Sequence, residues 1–185
     1  LTGTLQFIAK DVKVQVDFNP AVVQHYRLLG YENRAVQDHQ FRNDAVDGGE
    51  IGAGHAVTAL YEIVLRPAPV RDRLATVMVR YKDIDTSAVR EVAVPVRAIP
   101  MGFEQTPASF KLSFVAASFA EILRQSYWVK DSSLTDLRRI ADDVVRAYYF
   151  EDQKAVELKD LIDQAYRLKA GHGYPYSVPV RQPYR

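Results

Sequence analysis

The sequence predicts an α+β fold, an antiparallel β-sandwich followed by a C-terminal helical segment of about three helices. Two observations carry this prediction. Between Val12 and Ala98, apolar residues recur at every second position in several runs separated by short polar breaks, with no helical run between them. That order belongs to an antiparallel sandwich, because a parallel sheet needs crossover helices. From Thr106 onward the apolar spacing lengthens to about 3.6 residues, the period of one helix face. A chain of 185 residues, 48% of them hydrophobic and 25% charged, can bury one sizeable core or a core with a satellite, and is too apolar for disorder.

Leu5, Ile8 and Ala9 fit one helical face, so residues 1–10 read as the end of an upstream helix. The absence of an initiating methionine and this opening in mid-pattern point to a piece of a longer protein. The β-sandwich is expected over 11–104. Its first strand sets Val12, Val14, Val16 and Phe18 against Lys13, Gln15 and Asp17, one face core and one wet, until Asn19-Pro20 stops the pairing. A second strand is expected from His25 to Tyr31, and Glu32 to Glu50 reads as a long polar surface loop. The glycine-rich turn Asp47-Gly48-Gly49-Glu50-Ile51-Gly52-Ala53-Gly54 then opens into a strand from His55 to Leu65, with Val57, Ala59, Tyr61, Ile63 and Leu65 on one face. After Pro67-Ala68-Pro69, Ala75, Val77, Val79 and Tyr81 alternate as its expected hairpin partner. Val92, Val94, Val96 and Ala98 follow, with Pro95 indicating an edge position.

The helical segment is expected over 105–171, packed on the sandwich. Thr106-Pro107 offers an N-cap and a first-turn proline to a helix reaching about Gln125, with a stripe of Leu112, Val115, Ala116, Phe119 and Ile122. Ser133 with Asp136 resembles a capping box for a second helix carrying Leu137, Ile140, Ala141, Val144, Val145 and Tyr148. Leu158, Leu161, Ile162, Ala165 and Leu168 mark a third, closed by Gly171. Residues 172–185, with three prolines and three tyrosines, read as an extended tail.

Composition removes several classes of function. With 24 Lys and Arg against 23 Asp and Glu, the whole-chain field does not argue for a nucleic-acid partner. No segment approaches the roughly 18–20 apolar residues of a membrane span, and Leu1 to Lys10 lacks the zones of a signal peptide, so no membrane insertion by this chain is expected. Zero cysteines rule out disulfides and thiolate metal sites within it.

Candidate chemistry is sparse. Asp44, Asp47 and Glu50 offer carboxylates that a calcium ion could use, at a spacing unlike an EF-hand, and solvated loop acids are the plainer reading. His25, His39, His55 and His172 are scattered, without a zinc spacing. No G-x-S-x-G elbow is present, and the glycine-rich turn lacks the Lys and Ser or Thr of a phosphate-binding loop. Tyr127-Trp128 and Tyr148-Tyr149-Phe150 read as staples at helix ends. Tyr174 and Tyr176 in the tail are the remaining binding candidates, as a recognition strand for a partner.

Several stretches carry a resemblance. Ile8-Ala9-Lys10-Asp11-Val12-Lys13 into Val16-Asp17-Phe18-Asn19-Pro20, Tyr26-Arg27-Leu28-Leu29-Gly30-Tyr31-Glu32-Asn33-Arg34, Gly49-Glu50-Ile51-Gly52-Ala53-Gly54-His55 with Val57-Thr58-Ala59-Leu60-Tyr61-Glu62, and Phe119-Ala120-Glu121-Ile122-Leu123-Arg124-Gln125-Ser126 are similar to the C-terminal region of bacterial von Willebrand factor A domain proteins, the so-called Ca-activated chloride channel homologues. The resemblance spans the chain to about Lys169. It implies a β-rich extension and a helical segment following an A domain, in a protein exported to the bacterial periplasm or envelope. The A domain's D-x-S-x-S metal loop has its nearest counterpart in Asp131-Ser132-Ser133-Leu134-Thr135, which no buried parallel strand precedes and which reads as helix capping. A divalent metal is therefore expected only in the upstream domain, and no cofactor in this chain.

The function expected is a non-catalytic structural and protein-interaction module, with an unidentified protein partner and intramolecular contact with the upstream A domain. The alternative is a ligand-binding sandwich holding glycan, peptide or calcium through loop acids or exposed tyrosines. An enzyme would need polar residues converging in a pocket, and the sequence nominates none.

Overall fold

The computed structural model describes residues 6–30, 37–67, 73–97, 101–126, 133–148 and 151–171. The chain divides into two compact units, residues 1–100 and 101–185. Antiparallel sheets of six strands make the first, and three helices the second. The predicted α+β order therefore holds.

In the first unit, β1 (Phe7–Phe18), β3 (Gly49–Gly52), β5 (Arg73–Asp83) and β6 (Val89–Arg97) form one antiparallel sheet in the order β3-β1-β5-β6. β2 (Val23–Leu29) and β4 (Leu60–Leu65) pair as a second. Asn19 ends β1 and ties the two together. Its side-chain amide donates to the Arg73 carbonyl (2.8 Å) while its Oδ1 accepts the Ala21 amide (3.0 Å), turning the chain into β2. The Arg66 guanidinium, just past β4, donates to the Pro20 carbonyl (2.7 Å). Phe18 meets Tyr26 of β2 at 4.4 Å and Tyr61 of β4 at 5.3 Å between ring centroids, so the two-stranded sheet covers the Phe18 end of the larger one.

Four expectations are corrected here. Residues 7–10 are the start of β1 and not the end of a helix; residues 1–5 lie outside the described residues. Asp11 sits at φ 53° in a bulge, which shifts the phase of β1 against both neighbours and hides the two-residue period of Phe7 and Ala9. The glycine-rich turn contains an edge strand, β3, paired with β1. The strand expected from His55 begins only at Leu60, because its partner β2 ends at Leu29, opposite Leu60. Finally, β4 does not form a hairpin with β5: the connection after Leu65 is long enough to change sheets, and β5 pairs with β1 and β6. Pro95 does lie on an edge strand, β6.

In the second unit, α1 (Ala108–Leu123), α2 (Leu134–Ala147) and α3 (Gln153–Gly171) close around Val115, Phe119, Leu134, Leu137, Ala141 and Ile162. The first cap is displaced by one residue. Pro107 occupies the N-cap position, and the Thr106 hydroxyl instead donates to the Phe103 carbonyl (2.6 Å) to close the preceding 3₁₀ turn. Ser133 caps α2 as expected, accepting the Thr135 amide (3.1 Å). The α3 stripe is rotated: Leu161 and Leu168 are exposed, while Ala155 and Ile162 are buried with Leu158, Ala165 and Tyr166 packed beside the core.

Candidate functional site

The two faces of the four-stranded sheet differ in a way that alternation alone does not specify. Register places Lys13, Arg80 and Glu91 in one row across β1, β5 and β6, and Val14, Val79 and Val92 in the next. Successive residues point to opposite faces, so one face is charged and the other is lined by valine. A wet charged face and a buried valine face were expected. The structure reverses part of this: Lys13 is 3% exposed, whereas Val14 is 61%, Val92 49% and Val94 53% exposed.

The charged face is covered by the loop at 37–48. Lys13 Nζ donates to the Asn43 carbonyl (2.8 Å) and lies 3.5 Å from Asp11 Oδ1. Arg80 pairs with Asp44 (2.7 Å), and Arg42 of the loop pairs with Glu91 of β6 (2.7 Å). Lys82 reaches Asp11 Oδ2 (3.1 Å). Burial alone would raise the Asp11 pKa, but the Lys82 hydrogen bond, the Lys13 charge and the Gly48 amide together hold it below the usual carboxylate range. The Arg80 hydrogen bond lowers Asp44 and the Arg42 hydrogen bond lowers Glu91. Phe41 is buried within the same loop and gives it an apolar anchor.

The candidates from sequence fall into this picture unevenly. Asp44 is committed to Arg80, while Asp47 and Glu50 are exposed, Glu50 on β3. Among the described residues, no group of three or more His, Asp or Glu side chains is arranged to hold a metal ion. His25, His39 and His55 are exposed on separate segments. The Ser133 hydroxyl of the D-x-S-x-S-like string accepts the Thr135 amide as a helix cap, while Asp131 and Ser132 lie outside the described residues. Tyr174, Tyr176, His172, Tyr127, Trp128, Tyr149 and Phe150 lie outside the described residues. Lys13 and Asp11 were not singled out as site residues by sequence; the adjacent charges Lys10-Asp11, which interrupt a strand pattern, are the signal that marks the bulge.

The valine face groups several exposed apolar residues of the first unit. Its rows run Val14, Val79, Val92, then Val16, Val77, Val94, then Phe18, Ala75, Val96. The last row meets the two-stranded sheet through Phe18, and Tyr26 beside it is itself 55% exposed. An open apolar strip on a sheet face marks an interaction surface more often than a solvated one. In the second unit the hollow lined by Gln153, Val156, Glu157, Asp160, Leu161 and Gln164 is a shallow feature of the α3 surface. Asp163 pairs with both Lys159 (2.7 Å) and Arg138 (2.6 Å), linking α2 to α3.

Comparison with known proteins places this geometry in a family. The family model described as Uncharacterized protein YfbK, C-terminal, matches residues 3–72 and 66–168. The protein named Uncharacterized protein YfbK from Escherichia coli (strain K12) is 53% identical over 58 residues, which are 31% of this chain and 10% of that protein. No solved structure matches significantly. With the family model covering most of its length, the chain belongs to the YfbK C-terminal family.

Proposed function

We propose that the chain is a non-catalytic structural module that binds protein through the valine face of its four-stranded sheet. The observation that carries this reading is the exposure of Val14, Val92 and Val94 in adjacent rows of one face. Leaving them in water forgoes burial worth about 25 cal/mol per Å², a cost that a partner would recover. Charged groups of the opposite face pair with the loop through Arg42–Glu91 and Arg80–Asp44 and across the strands through Lys82–Asp11, which fits a scaffold better than a reaction centre.

The finer reading follows from the resemblance given above. The module sits C-terminal to a von Willebrand factor A domain in a bacterial envelope protein, and any divalent metal belongs to that upstream domain. The ligand-binding alternative is less favoured, because Asp44 is already paired with Arg80.

The test is capture from envelope extract by the module, comparing wild type with a Val92→Lys, Val94→Lys double variant. Both positions are exposed, so circular dichroism is expected to remain unchanged. At least a tenfold loss of the captured protein, in the presence of chelator, is the expected result. Equal capture by the two proteins would remove the valine face from the function.

A further inference from the structure

We infer that the outer edge of β6 pairs with β6 of a second copy of this chain, antiparallel across a two-fold axis at Val94. This contact uses the edge of the sheet and not its valine face, and so goes beyond the reading above.

Strand β6 is the long edge of the four-stranded sheet. It has nine residues, keeps an unbroken register with β5 from Val89 to Val96, and is exposed apart from a half-buried Val96. At the other edge, β3 has four residues and is offset by bulges against β1. The Asp83 amide donates to the Ala88 carbonyl (3.0 Å), which makes that a hydrogen-bonded pair. Alternation along an antiparallel ladder then turns the amides and carbonyls of Arg90, Val92, Val94 and Val96 toward β5. Those of Val89, Glu91, Ala93 and Arg97 point outward, with Pro95 contributing a carbonyl alone. Such a row is a template for another strand, and one proline removes one donor from it.

Charge selects the partner and the register. Arg97 lies opposite Arg73 of β5, both are exposed, and among the described residues neither forms an ion pair. Like charges directly opposed are destabilising, and a carboxylate beside them would relieve the strain. β6 carries one itself. Glu91 shares a face with Arg97, and its carboxylate has lone pairs beyond those that take the Arg42 guanidinium (2.7 Å). An axis at Arg90 or Glu91 would oppose like charges, and an axis at Val92 or Ala93 leaves Arg97 without an acid. With the axis at Val94, Glu91 of each copy lies opposite Arg97 of the other. Glu91 and Arg97 then exchange both main-chain hydrogen bonds, Pro95 still accepts the Ala93 amide, and Val92 meets Val96 on the apolar side. A two-fold interface requires this self-complementarity.

The full 185-residue chain contains no cysteine, so one introduced thiol reports one position. Val94→Cys is compared with Val92→Cys; both sites are about half exposed on the same face, and circular dichroism should match wild type. At the axis, opposed Cα atoms lie about 4.5 Å apart, within disulfide reach, whereas the two copies of position 92 are offset by about 13 Å along the strands. Under mild copper-catalysed oxidation, Val94→Cys is expected to form a disulfide-linked dimer at least fivefold faster than Val92→Cys. Adding Arg97→Glu should slow that reaction at least fivefold, and Arg97→Lys should not. Equal rates at 92 and 94 would mean face-on-face contact or random collision and would overturn the strand pairing, as would a faster rate at 92 or no dimer at either. An unchanged rate with Arg97→Glu would overturn the charge-set register. Capture of a separate protein through the valine face is read independently, so each reading can fail alone.

Discussion

Gly48 packs directly on Asp11. A Cβ built at Gly48 would lie 2.6 Å from the Asp11 carbonyl carbon and 2.8 Å from Asp11 Oδ1. The obstacle is backbone, held at φ 53° in the β1 bulge and unable to swing aside as a flexible side chain would. Gly48→Ala is expected to cost about 2–3 kcal/mol, the range of overpacking in a closed site. Gly49→Ala, whose Cβ would meet only the Val12 carbonyl oxygen at 3.8 Å, should cost less than about 1 kcal/mol. Urea denaturation of the two variants, followed by hydrogen exchange of β1 amides, checks the contrast; equal losses would mean that the approach to Asp11 is not tight.

Lys13 is the buried partner on which the loop at 37–48 rests. Its ammonium is shared between the Asn43 carbonyl (2.8 Å) and Asp11 (3.5 Å). Asp11 Oδ1 is buried without a hydrogen-bond partner, and the Lys13 charge beside it compensates the carboxylate together with the Lys82 hydrogen bond to Oδ2. Lys13→Met keeps the aliphatic stem and removes the charge. It should destabilise the first unit by about 2–4 kcal/mol, the penalty for leaving a buried charge short of its partner. Adding Asp11→Asn should recover part of that loss. The distinguishing readout is hydrogen exchange: amides of residues 40–46 should lose protection by at least tenfold, while those of β5 change less.

The same network sets a pH dependence whose direction follows from the shifts. The pKa of Asp11, Asp44 and Glu91 is lowered in the folded chain from 3.8 for the aspartates and 4.5 for the glutamate. A carboxylate with a depressed folded pKa contributes stability that is fully present above its unfolded value and is lost as pH falls through the folded one. The urea midpoint of the first unit should therefore be insensitive to these groups from pH 8 down to about 5, then decline from about 4.5 downward. Glu91→Gln removes the pairing with Arg42 and should flatten the upper part of that decline. A midpoint unchanged down to pH 3 would show that these pairs do not form in solution.

How far the sequence speaks depends on the range of the interaction. The helices, the Ser133 cap and the edge position of Pro95 are local properties, and periodicity and side-chain chemistry express them directly. The start of β1 was hidden because one residue at Asp11 reverses the phase of everything before it. Alternation in β1 separates Lys13 from Val14, but cannot say which face a distant loop will cover; Asn43, thirty residues away, decides it. Sheet membership of β4 is likewise a long-range outcome, since its alternation would suit β5 as well as β2. For the candidate site, acid-rich composition draws attention to Asp44, Asp47 and Glu50, while the valine face reads as core because the exposure of Val14, Val92 and Val94 leaves no mark on a strand's own pattern.

In α3 the same ambiguity concerns two neighbouring residues. Leu161 and Ile162 both match a helical stripe, yet Ile162 is 0% exposed among Val115, Phe119, Leu134, Leu137 and Ala141, whereas Leu161 is 46% exposed. Adjacent helix positions differ by about 100° around the axis, so only one of them can face a given core. The core side is fixed by the partners available to it: Tyr166, four residues beyond Ile162, lies beneath the Arg138 guanidinium at 4.3 Å, and Asp163 bonds the same arginine. Those contacts to α2 hold α3 with Ile162 inward. Ile162→Ala should cost about 3–4 kcal/mol, since no exposed route lets the cavity fill, whereas Leu161→Ala should cost less than about 1 kcal/mol. Guanidinium unfolding followed by helical circular dichroism separates the two. Equal costs would mean that both leucine-sized side chains face the core and that α3 is rotated from its place here.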